Sequence, residues 1–201
     1  VTGVDFSPVA VAGARALAEE VGLGARFVEA DVLALPEELE GDFDIVLTYY
    51  GTVTWLPDAR RWGEVIARCL RPGGFFYFAD THPAAMMLEV CQGAEAPRLH
   101  YPYFQDGPQR FETPSGTYAA PGVSREHGVT YEWQHTVQDL VCALIDAGLR
   151  LDYVHEFPYT FYNCWWWVPG LMREDARGFW HLAGRERSLP LMLSVKATRP
   201  G

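Results

Sequence analysis

Two aspartates, a pair of tyrosines and two histidines stand where side chains can act on a ligand. Asp5 closes the apolar run VTGV, and Asp31 closes RFVEA. In open α/β sheets ligands sit beyond the carboxyl ends of strands, so an acid there can accept hydrogen bonds from both hydroxyls of a ribose. Its charge strengthens each bond. Asp31 could accept from an exocyclic amine such as that of adenine, with the amide of Val32 beside it donating to a ring nitrogen. Each acid has an alternative role, as a solvated carboxylate at the N-terminus of a following helix. The pair is more informative than either alone, because neighbouring strands aim both acids into one cleft. Tyr49, Tyr50 and Gly51 end the run FDIVLTYY. There backbone can approach a ligand and rings can cover it, or the rings can pack in the core.

His82, in ADTHP, lies just past a fourth apolar run, and His135, in YEWQHT, enters a later helix. An imidazole titrates near neutrality and can take a proton from an acceptor hydroxyl or amine. A structural or solvent-facing histidine is the competing assignment for each. No HxH, HExxH or His/Cys cluster has the spacing of metal ligands, so no metal site is expected. Lys196 is the one lysine in the chain, and Met192 stands four residues before it. A short-chain dehydrogenase needs a tyrosine there, which removes that form of nicotinamide chemistry.

The elements that must position these residues follow from periodicity. Val1 to Val4 reads as a short strand. From Pro8 to Val21, apolar residues recur at helical spacing, with Ser7 as N-cap and Pro8 at the first helical position. RFVEAD is a second strand and FDIVLTYY a third. DARRWGEVIARCL is a helix, and GGFFYFAD a fourth strand after an RPGG turn. Apolar strands separated by helices imply a parallel sheet covered on both faces. Residues 81–133 break this pattern, being rich in Pro, Gly and aromatics, and are expected to be irregular. TVQDLVCALIDAGL restores a helix, RLDYVHEF a strand, and PLMLSVKAT a last strand. Between the last two, NCWWWVPG could be a substrate-facing aromatic wall or packing beneath the insertion.

Composition narrows the partners. The 201 residues carry a formal charge of -10 without any basic run, which disfavours nucleic acid and anionic membrane surfaces. No apolar stretch approaches the ~20 residues of a membrane helix. The four cysteines are scattered, and Cys69 and Cys142 fall on apolar stripes, so reduced core thiols and a cytoplasmic setting are expected.

Taken in order, VTGVDFSPVAVAGA, ARFVEADVLALP, FDIVLTYYGTVTWLPD, LRPGGFFYFAD and VQDLVCALIDAGLRLDYV resemble consecutive segments of a class I S-adenosylmethionine-dependent methyltransferase of the small-molecule type. LMLSVKAT resembles the last strand. The resemblance implies a Rossmann-like, doubly wound, mostly parallel sheet with an antiparallel last strand. Residues 1–80 and 134–201 would form the core, and 81–133 an inserted cap that binds the acceptor. It implies S-adenosylmethionine as cofactor, with Asp5 and Phe6 at the ribose, Asp31 and Val32 at the adenine, and Tyr49 and Tyr50 near the methionine end. His82 and His135 are the catalytic candidates, and the acceptor would be a small molecule offering an O, N or C nucleophile. A non-catalytic binding protein on the same fold, or a nicotinamide-dependent oxidoreductase, are the alternatives. The family's glycine-rich loop and the strand before it are missing from the sequence. That strand would be central, so the chain is expected to be part of a longer protein, or to borrow a strand from a neighbour, and to bind cofactor poorly by itself.

Overall fold

In the computed structural model, which describes residues 1–112 and 128–201, the regular elements follow local signals closely. β1 (Thr2–Asp5) leads through Ser7, whose hydroxyl accepts from the Ala10 amide at 3.3 Å, into α1 (Pro8–Glu20). Gly22, at φ 70°, ends that helix, and β2 (Arg26–Glu29) returns parallel to β1. β3 (Phe43–Tyr49) precedes α2 (Ala59–Cys69), whose N-terminus the Asp58 carboxylate caps through the Arg61 amide at 2.9 Å. β4 (Leu70–Thr81) follows without a break. The RPGG segment, expected as a turn between helix and strand, lies inside this strand as an irregularity. Phe43 pairs with Leu70 while Ile45 pairs with Phe75, so the segment 71–74 is looped out of the ladder. Gly74 is required there, since a Cβ would come within 2.8 Å of the Phe43 carbonyl oxygen.

The insertion is more regular than its composition suggests. It contains α3 (Pro83–Met86), a hairpin of β5 (Leu88–Glu89) with β6 (Arg98–Leu99), and a second of β7 (Gln109–Glu112) with β8 (Val129–Glu132). These strands are too short to establish an alternating pattern in sequence, which is why an irregular segment was expected. Most of ETPSGTYAAPG, from residue 113 on, lies outside the described residues. α4 (Val137–Asp146) begins in a capping box between Thr136 and Asp139. After it come β9 (Arg150–Phe157), a hairpin of β10 (Met172–Glu174) with β11 (Trp180–Leu182), and β12 (Met192–Thr198).

The main sheet has the order β3-β4-β12-β9, with β3 parallel to β4 and β12 antiparallel to both its neighbours. This is a Rossmann-like α/β arrangement with the antiparallel end that the sequence implied. Its core joins Phe76, Phe78, Leu193 and Val195 of the sheet to Trp62, Ile66, Leu140 and Leu144 of α2 and α4. Among the described residues only that face is helix-covered. On the other, Phe75, Tyr77 and Tyr153 stay half-buried and His155 exposed, a departure from the expectation of cover on both faces. A second cluster unites Val90 of the insertion with Trp165, Val168, Leu171, Met172, Leu182 and Leu191. Residues 165–191 therefore pack with the insertion more than with the main sheet. All four cysteines are free; Cys69 is buried as expected, but Cys142 is exposed, its side of α4 facing solvent.

β1 and β2 form a separate two-stranded sheet, with no ladder to β3. Among the described residues, one edge of β1 and one of β3 have no strand partner, and Ile45 and Leu47 of β3 are half-exposed. The two sheets meet through the chain after β2. Val32 and Leu33 pack on the main core, and the Arg61 guanidinium of α2 donates to the Leu33 carbonyl at 2.9 Å.

Candidate functional site

Asp5 and Asp31 stand on one rim because β1 and β2 run parallel in register, Asp5 opposite Glu29, with the Ala30 amide donating to the Asp5 carbonyl at 3.1 Å. Each carboxylate folds back on its own chain. Oδ1 of Asp5 accepts from the Ser7 amide, and Oδ1 of Asp31 from the Leu33 amide, both at 2.8 Å. Such Asx turns hold one oxygen and leave the other pointing outward from an exposed residue. Neither acid caps a helix. Ser7 does that for α1, and the next helical element after Asp31 is a single 3-10 turn at Glu37–Leu39. Phe6 is 77% exposed, a ring with nothing over it, whereas Val32 is anchored in the core.

The end of β3 carries the one non-glycine residue at positive φ among the described residues. Tyr50 has φ 53°, unusual for a residue with a side chain, and Gly51 follows at φ 86°. The Tyr50 amide continues the ladder to the Ala79 carbonyl at 3.0 Å. What holds the turn is Asp80, at the end of β4 and only 3% exposed. Its Oδ1 accepts from the Gly51 amide at 2.8 Å and the Thr81 amide at 2.7 Å, while its buried Oδ2 has no partner. Burial pushes the Asp80 pKa above the usual carboxylate range, against the pull of those amides. Tyr49 and Tyr50 meet edge to face with centroids 5.1 Å apart, and Tyr50 lies on Phe161 at 4.1 Å. Both tyrosines are half-exposed, so they line the rim and are not core residues. Asp80 and Phe161 were missed in the sequence. The signal for Asp80 is its phase: it shares the inward face of β4 with Phe76 and Phe78, where a carboxylate needs a reason.

The histidines take structural posts. His82 is 4% exposed and caps α3, its Nδ1 accepting from the Ala84 amide at 3.0 Å. Its Nε2 therefore carries the proton and donates to Glu156 at 2.8 Å. With both nitrogens engaged, no lone pair is left for a substrate proton, and the expected role as general base is withdrawn. Burial also lowers the His82 pKa, partly offset by Glu156. His135 donates from Nε2 to the Leu56 carbonyl at 2.8 Å, tying the 53–56 turn to the start of α4. Lys196 is likewise structural, 3.1 Å from Asp152 and 4.9 Å above the Phe75 ring. Among the described residues no group of His, Cys, Asp or Glu could hold a metal.

The insertion is fastened over this rim. Trp133 donates from its amide to the Thr54 carbonyl at 2.8 Å, and Gln134 from its side chain to the Pro83 carbonyl at 3.0 Å. In NCWWWVPG, Trp165 is buried in the second cluster, whereas Trp166 and Trp167 are more than 40% exposed.

Comparisons with known proteins agree with this fold. A family model described as a methyltransferase domain matches residues 1–74. A demethylmenaquinone methyltransferase of Thermus thermophilus is 45% identical over 83 residues, which is 41% of this chain and 37% of that protein. The aligned stretch thus spans little more than a third of the curated relative. Among solved structures, an S-adenosylmethionine-dependent methyltransferase from Mesorhizobium loti superposes with a TM-score of 0.65 at 23% identity, covering 99% of this chain and 80% of that one. A glycopeptide N-methyltransferase, MtfA, complexed with S-adenosylmethionine, superposes at 0.58 and 21% identity, covering 100% and 72%.

Proposed function

We propose, from the premise that this chain has the fold of the class I S-adenosylmethionine-dependent methyltransferases and carries a methyltransferase domain in residues 1–74, that it transfers a methyl group to a nucleophilic O, N or C of a small molecule. The observation that carries the proposal is the shared rim. Asp5 ends β1 and Asp31 follows the end of the parallel β2, each held by its own backbone, and Val32 and Leu33 join this end to the main core.

The residues present suit the cofactor. The outward oxygen of Asp5 would accept from the ribose hydroxyls with Phe6 beside it. Asp31 would accept from the adenine amine and the Val32 amide donate to the ring. Tyr49 and Tyr50 would flank the methionine end. S-adenosylmethionine held by these residues would supply an electrophilic methyl on a sulfonium, with the thioether as leaving group. The chain's own work is then alignment and exclusion of water. Asp80 keeps the Tyr50–Gly51 turn in one conformation, and the described part of the insertion, fastened through Trp133 and Gln134, would cover the acceptor side. No resident base is required where the acceptor's proton can leave to solvent.

Calorimetric titration with S-adenosylhomocysteine tests this, on protein that includes any residues preceding Val1. Binding is expected, with Asp5→Ala weaker by about tenfold to a hundredfold, the range for charged hydrogen bonds. Unchanged affinity in the variant would refute the ribose assignment, and absence of heat in the parent would favour a non-catalytic binding protein.

A further inference from the structure

The turn that ends β3 keeps a strained residue in place through three separate bonds. The Tyr50 amide donates to the Ala79 carbonyl at 3.0 Å, the Gly51 amide to Asp80 Oδ1 at 2.8 Å, and the Thr52 hydroxyl to the Tyr49 carbonyl at 2.8 Å. Asp80 acts from a place that costs it hydration: it is buried, and its Oδ2 has no partner among the described residues. A left-handed backbone at a residue with a side chain persists only where its surroundings over-determine it, and such outliers gather at ligand sites. Glycine adopts this conformation without strain, as Gly51 does one residue later at φ 86°. Core packing does not explain a tyrosine at 50, because its ring is 53% exposed and belongs to neither buried cluster.

The ring is nevertheless held. It lies on Phe161 with centroids 4.1 Å apart and a tilt of 38°, and Tyr49 meets it edge-on at 5.1 Å. Phe161 is fixed in turn through its neighbour Thr160, which is buried and exchanges two backbone bonds with Trp180 of β11. The Thr160 amide donates at 2.9 Å and the Trp180 amide at 2.7 Å. Trp180 packs against the second buried cluster. Three stretches of chain, 49–52, the end of β4 and 160–161, thus converge on one aromatic ring that is half in solvent. It stands at the carboxyl end of β3, the end of an α/β strand at which ligands bind. A ring already immobile gives up little conformational entropy when a ligand covers it.

We infer that Asp80 and Phe161 are positioning residues for the ligand site: Asp80 holds the backbone of Tyr50 in its strained conformation, and Phe161 backs its ring, so that the ring meets the ligand in one orientation. The ligand itself is taken from the methyl-transfer reading, as the methionine end of S-adenosylmethionine; the two positioning roles go beyond it. Tyr50 makes the contact, Asp80 offsets the strain of making it, and Phe161 sets the angle of the ring.

The S-adenosylhomocysteine titration, repeated on variants alongside denaturant unfolding, tests this. Tyr50→Gly relieves the strain and removes the ring, so it should bind about tenfold more weakly while its unfolding midpoint equals the parent's or rises. A lower midpoint with unchanged binding would mean that Tyr50 serves stability alone and would overturn the inference. Asp80→Ala should weaken binding about tenfold when residue 50 is tyrosine and add nothing in the Tyr50→Gly background, because its action passes through the ring. Phe161→Leu should behave in the same way with a loss of about threefold. Equal losses in both backgrounds would overturn the positioning roles. Asp80→Asn keeps an oxygen for the Gly51 and Thr81 amides and should bind within about threefold of the parent. A tenfold loss there would show that the charge matters and not the hold on the turn, and it decides the matter if Asp80→Ala does not fold. A parent that binds nothing counts against methyl transfer; the midpoint of Tyr50→Gly then decides the strain at residue 50 by itself, a lower value overturning it.

Discussion

The four-stranded sheet and the β1–α1–β2 unit are built from the same kinds of element but are held very differently. In the sheet, Phe76, Leu193, Val195 and Ala197 are fully buried, and α2 and α4 seal one face. In the β1–α1–β2 unit, only Val11 and Ala18 are buried, while Phe6, Val9, Leu17, Val21 and Leu23 are more than half exposed. The region with the core carries Asp80, His82 and the constrained Tyr50–Gly51 turn. The region with little core carries Asp5, and Asp31 stands just beyond it. Stability thus resides in the sheet while the proposed cofactor contacts fall in the weaker unit, and ligand binding there would add the ordering that its own packing does not supply.

That division can be broken or sharpened by substitution. The largest effect is expected from Phe76→Ala, which removes a ring that meets Trp62 at 5.4 Å in the sealed face. A loss of about 3–5 kcal/mol is expected in denaturant unfolding. A loss under about 1 kcal/mol would mean that the sheet is not where stability resides. Ser7→Ala removes the cap of α1 and should cost about 1 kcal/mol, seen as faster amide exchange in α1 with β12 unchanged. Faster exchange in β12 as well would show that the two units open together.

The smallest effect is a slope in pH. His82 has a lowered pKa because protonation would place charge in a buried site, with Glu156 only partly compensating. The unfolded chain, with a pKa of about 6.5, then takes up the proton before the folded one. The neutral ring's contribution is complete above that value and is lost as pH falls below it. Unfolding midpoints measured from about pH 7 to about pH 5 should decline in the parent and decline less in His82→Gln. Parallel slopes would place the acid sensitivity elsewhere.

Much of the framework was legible because its signals are local. Ser7 before Pro8, Asp58 before a helix and Thr136 with Asp139 are caps written within four residues, and the apolar strands keep one phase for their whole length. The short hairpins of the insertion were not legible, since strands of two to four residues carry no period. The histidines misled for a related reason. His82 has the right type and stands at the right strand end, but its partner Glu156 is 74 residues away.

From the sequence alone, then, the order of the longer elements, the class of fold and the strand-end places of Asp5 and Tyr49 could be determined, because each depends on neighbours along the chain. The tertiary structure alone decided that Asp80 secures the Gly51 turn, from 29 positions away. It also decided that Glu132 reaches Thr54 across 78 positions. Such contacts join residues that only packing brings together, and no local pattern encodes which oxygen will be left without a partner.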